Sequence, residues 1–72
     1  MDVKDAFAER VYQLRVKRRL TQKELGEAIG VSHKTISTIE SGLRTTSFEK
    51  LVLLAKFFDV STDYLLGLKD EP

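Results

Sequence analysis

Apolar residues recur along the chain at intervals of three and four, and each run stops at a glycine or a small polar residue. Phe7, Val11 and Leu14 place one stripe on a first helix from about Asp5 to Arg19. Thr21-Gln22-Lys23-Glu24 reads as a capping box, in which the Thr21 hydroxyl and the Glu24 carboxylate each satisfy the other residue's amide. A second helix therefore opens there, with Leu25 and Ile29 on one face. Gly30 ends it, because a residue without a Cβ enters left-handed backbone space at no steric cost. Val31 fills the corner. Ser32 caps a third helix, His33 to Ser41, which buries Ile36 and Ile39 and stops at Gly42. Leu43 to Thr46 form a loop, and Ser47 caps a fourth helix with Phe48, Leu51, Leu54, Ala55 and Phe58 inward. After a turn at Asp59 and Val60, Ser61 caps a short fifth helix through Leu66, ended by Gly67. No useful run alternates with period two, so no strand is expected.

The pattern predicts an all-α fold, a compact five-helix bundle over residues 1–68, with 69–72 a polar tail or the start of a linker. Its core should hold Phe7, Val11, Leu14, Leu20, Leu25, Ile29, Val31, Ile36, Ile39, Leu51, Leu54, Phe58, Val60 and Leu65. Gly26 is the odd member, since a mid-helix glycine costs about 1 kcal/mol against alanine. A close crossing of helix three over helix two explains a small residue there, and alanine should fit as well.

Seventy-two residues make one small domain, and the absence of cysteine excludes a disulfide or thiolate staple. Packed helices must hold it together. That composition fits a reducing, cytoplasmic setting. The chain opens on a polar, charged segment, so neither a secretory signal nor a membrane span is expected. The net charge of +1 hides an asymmetry. Arg10 to Lys34 carries seven cations against Glu24 and Glu27, while both ends of the chain are acidic. A basic stretch of this kind favours a polyanion through counterion release.

Residues 22–41 carry the most chemistry. Between its buried isoleucines the third helix exposes His33, Lys34, Thr35, Ser37 and Thr38, all able to hydrogen-bond. Two short helices with a glycine turn, the second with a polar outer face, form the helix-turn-helix pattern, whose second helix enters a DNA major groove.

The chain resembles the lambdoid phage repressor and Cro (xenobiotic-response-element type) family of five-helix DNA-binding domains. The shared features run from Val11-x-x-Leu14-Arg15 through Leu20-Thr21-Gln22-x-Glu24-Leu25 and Gly30-Val31-Ser32. They continue with Ile36-Ser37-x-Ile39-Glu40-x-Gly42, Leu54-Ala55 and Val60-Ser61-x-Asp63-Tyr64-Leu65-Leu66-Gly67. The resemblance implies a transcriptional regulator, most simply a repressor, that reads a palindromic double-stranded DNA operator as a homodimer. It places His33, Lys34, Ser37 and Thr38 against base edges, with Thr35 nearer the backbone. Gln22 and Arg44 match phosphate contacts, and Lys23 and Thr46 join them; Lys17, Arg18 and Arg19 contribute long-range field. An Arg15–Glu40 ion pair between helix one and the end of helix three is implied as well. Thr46 stands where proline is frequent, and Gly26 replaces the usual alanine.

Dimerisation is expected around helix five, where Asp63 to Leu68 holds more apolar surface than one short helix buries; Leu66 and Leu68 are the candidate contacts. Catalysis is not expected. His33 is the only histidine and falls on an exposed face, no zinc ligand set can be assembled, and no phosphate loop follows a strand, so neither metal nor cofactor is called for. Two alternatives stand beside the regulator: the DNA-binding part of a longer protein, and a protein-interaction adaptor that keeps the fold without touching DNA.

Overall fold

Every helix in the computed structural model begins with a side chain that accepts a hydrogen bond from its own first turn. The structure describes residues 2–72; Met1, the first residue of the expected domain, lies outside them. Among these residues there are five helices and no strand: α1 Val3–Lys17, α2 Gln22–Ile29, α3 His33–Glu40, α4 Phe48–Phe58 and α5 Thr62–Leu65. Asp2, Thr21, Ser32, Ser47 and Ser61 cap them, accepting from the amides of Asp5, Glu24, Thr35, Lys50 and Tyr64. Helices this short are marginal alone, and each cap contributes about 1 kcal/mol. The box at α2 is complete, with Thr21 N to Glu24 Oε1 at 2.8 Å and Glu24 N to Thr21 Oγ1 at 3.0 Å.

Helix α1 is shifted two residues upstream of its expected bounds at both ends. Asp2 captures the Asp5 amide at 2.8 Å and starts it early. At the other end Arg19 takes a left-handed φ of +58°, and Leu20 N returns to Arg15 O at 3.1 Å. That turn lets Leu20 lean on the core instead of prolonging the helix.

Phe7, Val11, Leu25, Ile29, Ile36, Ile39, Leu54, Phe58 and Leu65 fill the centre, joined by Ala6, Ala8 and Ala55. Leu14, Leu20, Val31, Leu51 and Val60, expected in the core, are half-buried at its rim. One residue expected to face inward on the fourth helix does not. Phe48 is 86% exposed. It sits in the first turn of α4, off the edge of the Leu51–Leu54–Ala55–Phe58 stripe, and nothing packs over it.

The reading of Gly26 also needs correction. A Cβ at Gly26 would stand 2.5 Å from the Val31 carbonyl oxygen and 3.2 Å from Ser32 backbone. The close neighbour is thus the turn between α2 and α3, drawn in by Val31 N bonding Gly26 O at 2.8 Å, not helix three itself. Alanine does not fit this turn unless backbone moves.

Helix α3 packs against both α2 and α1, and α4 packs against α2 and α5. Held on two sides, α3 keeps one face towards solvent.

Candidate nucleic-acid interface

Ile36 and Ile39 are wholly buried, so the positions between them on α3 must point outward. His33, Lys34 and Ser37 are exposed, whereas Thr35 and Thr38 are half-buried. The hydroxyls divide the same way. Thr35 Oγ1 lies 3.0 Å from the capping Ser32 Oγ, and Thr38 Oγ1 donates to Thr35 O at 2.9 Å. Ser41 Oγ likewise donates to Thr38 O at 2.9 Å. Back-bonding of this sort spends the donor inside the helix. His33, Lys34 and Ser37 therefore retain free donors, while Thr38 offers a methyl group and oxygen lone pairs. Serine and threonine three residues apart were the sequence signal for this division.

The end of α3 is fixed from beneath. Arg15 Nε donates to Glu40 Oε2 at 2.6 Å and Arg15 Nη2 to Glu40 Oε1 at 3.0 Å, with side chains only 13% and 5% exposed. Arg15 Nη1 also donates to Leu20 O at 2.7 Å, and Gln22 Nε2 to Glu40 Oε1 at 3.1 Å. The hydrogen bond to Glu40 raises the Arg15 guanidinium above its ordinary range, aided by the Glu40 charge and opposed by burial. One bidentate pair thus joins α1, the Leu20 turn, the start of α2 and the end of α3.

Gln22 is accordingly engaged already, although an amide nitrogen has a second N–H to give. Lys23 is exposed beside it. On the other flank of α3, Thr35, Arg44 and Thr46 line one open groove of about 440 Å³ with Val31, Thr45, Ser47 and Lys50. Lys50 was not singled out from sequence. Its Nζ donates to Ile29 O at 3.0 Å, closing the end of α2. Arg18 is a tie rather than a free charge: Nη1 donates to Phe57 O at 2.8 Å, and its guanidinium lies 5.4 and 5.2 Å from the Phe57 and Phe58 ring centroids.

The structure separates the two leucines expected at an interface. Leu66 is half-buried and lines a groove with Val3, Phe7, Thr45, Thr46 and Leu51, whereas Leu68 is 65% exposed. The segment after it turns back on the domain. Arg10 Nη1 donates to Tyr64 O at 2.7 Å and Lys69 O at 2.5 Å, with Asp70 at 3.5 Å, and Ser61 N donates to Pro72 O at 2.9 Å. Among the described residues no cluster of three His, Cys, Asp or Glu side chains could hold a metal ion, and no helix is long and apolar enough to cross a membrane.

Five short capped helices with a polar α3 outer face define a helix-turn-helix domain. The Helix-turn-helix family profile matches residues 11–65, and the chain belongs to that family. It is 39% identical over 66 residues to the uncharacterized HTH-type transcriptional regulator YobD of Bacillus subtilis (strain 168), covering 92% of this chain and 59% of YobD. It is 35% identical over 74 residues to the control protein C.SmaI of Serratia marcescens, covering 99% of this chain and 88% of that protein. The P22 c2 repressor, solved in complex with synthetic operator 9T, superposes with a TM-score of 0.80 at 37% identity, covering 83% of this chain and 91% of the repressor. Against several other curated relatives the chain spans only about half their length.

Proposed function

We propose that this domain binds a palindromic operator in double-stranded DNA as a homodimer in the cytoplasm, laying α3 in the major groove of each half-site and repressing transcription. The observation that carries the reading is the outer face of α3. It presents His33, Lys34 and Ser37 with free donors on a helix locked in place by Arg15, Glu40 and Gln22. Lys34 suits the O6 and N7 acceptors of guanine, Ser37 is permissive, and His33 can donate or accept. Thr38 brings its methyl group towards a thymine methyl, its own donor being spent on Thr35 O. Gln22 with Lys23 on one flank, and Thr35, Arg44 and Thr46 on the other, hold phosphates and set the register of the helix.

Selection of bound sequences from a random duplex pool, followed by gel-shift across a salt series, tests this. A two-fold consensus is expected, with affinity falling as counterions for ~6–10 phosphates are released by a dimer. Recovery of no preferred sequence, or no binding at low salt, overturns it and favours the adaptor. The longer relatives favour a second reading in which this domain serves a larger regulator, for which the same operator result is expected.

A further inference from the structure

Helix α4 carries an exposed stripe that neither the core nor the DNA-reading face uses. Glu49, Val52, Leu53 and Lys56 follow one another at offsets of three, four and seven, the spacing of one helical face. Val52 and Leu53 are 42% and 41% exposed, and with Phe48 and Glu49 they line a shallow apolar groove. Neither Glu49 nor Lys56 has an ionic partner among the described residues.

We propose that this stripe is the homodimer face, packing α4 against α4 of a second copy in antiparallel fashion about a two-fold axis. The inference rests on the dimeric reading above and names its contact. The stripe is self-complementary, as an isologous interface must be. An axis passing between Val52 and Leu53 packs Val52 of each copy against Leu53 of the other and puts Glu49 level with the partner's Lys56, and Lys56 level with the partner's Glu49. Two opposite-charge pairs then bracket an apolar centre, and Phe48 flanks it. A parallel arrangement would set like charges against each other.

Size supports the same occupant. The domain measures 27 × 24 × 22 Å over its Cα atoms, so side-by-side copies are spaced comparably with half-sites ~34 Å apart on one face of DNA. One helix pair covers less than the ~800 Å² per partner of a stable complex, so pairing is weak in free solution and completed on the operator. The α5 flank offers a single exposed leucine, Leu68.

Charge exchange tests the face. Glu49→Lys or Lys56→Glu alone sets like charges together twice by symmetry, and is expected to lower cooperative binding to a two-half-site duplex by about five- to tenfold. The double variant Glu49→Lys/Lys56→Glu should restore it, because both pairs re-form in reverse. Affinity for a single half-site should not move in any of them. Because the chain has no cysteine, Leu53→Cys should give a covalent dimer on mild oxidation, and Leu68→Cys should not. Absence of rescue in the double variant, or cross-linking through residue 68 instead of 53, overturns the face. If the parent binds no duplex, the DNA reading has failed, and the cross-linking result still decides the interface on its own.

Discussion

Helices α3 and α4 each bury an apolar stripe on the same small core, yet their outer faces differ. That of α3 is wholly polar, with three donors left free and the rest turned back on the helix. That of α4 keeps Phe48, Val52 and Leu53 in solvent between single charges. A solvated face needs only to be soluble, and both would be. On the proposed reading the two faces answer two demands: α3 satisfies hydrogen-bonding partners of a nucleic acid, while α4 keeps apolar area for a second copy to cover. The helices are also held differently. Helix α3 is clamped at its end by a nearly buried ion pair, whereas α4 is tied at its start by one lysine reaching the end of α2.

The largest effect should come from loosening the clamp. Glu40→Gln leaves Arg15 charged and poorly compensated, and is expected to cost about 3–5 kcal/mol of stability, read by denaturant unfolding. An unchanged unfolding midpoint would show that α3 does not depend on the pair. Within the face itself, Lys34→Ala should weaken binding to the selected duplex by about 1–3 kcal/mol and relax preference at one base pair. Uniform weakening on all sequences would reassign Lys34 to a phosphate.

Gly26→Ala probes the turn that aims α3 away from α2. The gain of about 1 kcal/mol in helix propensity opposes about 1–3 kcal/mol of overpacking against Val31, so a net loss is expected in thermal unfolding. A more stable variant would mean the turn opens without cost. Arg44→Ala, on the loop joining α3 and α4, should flatten the logarithmic salt dependence by about one unit and leave the preferred sequence unchanged. The smallest effect tests α4. Phe48→Ala should change the monomer's stability by less than about 0.5 kcal/mol, whereas truncating buried Phe58 should cost about 3–5 kcal/mol.

Much of this molecule was legible without coordinates. Capping residues and glycine stops act within a few residues of themselves, so Thr21, Ser32, Ser47 and Ser61 marked helix starts that the structure reproduces, and the three-residue spacing of Ile36 and Ile39 already set which side of α3 faces solvent. Asp2, overlooked as a cap, shows that even a local signal can be missed near a chain end.

What depended on distance in space was not legible. Whether Phe48 is covered depends on where α4 begins relative to the other helices, and periodicity reports a face without saying what lies opposite it. Whether Gly26 tolerates a methyl group depends on how tightly the following turn closes over it, a matter of tenths of an ångström. The hydroxyls of Thr35 and Thr38 were visible as residue types, but only the folded helix decided that the first pairs with the Ser32 hydroxyl and the second donates to the Thr35 carbonyl. Sequence determined the elements and their buried sides, because those follow from local sterics and hydrophobic spacing; tertiary structure decided which polar and apolar groups were left over for a partner, because that depends on what the rest of the chain has already covered.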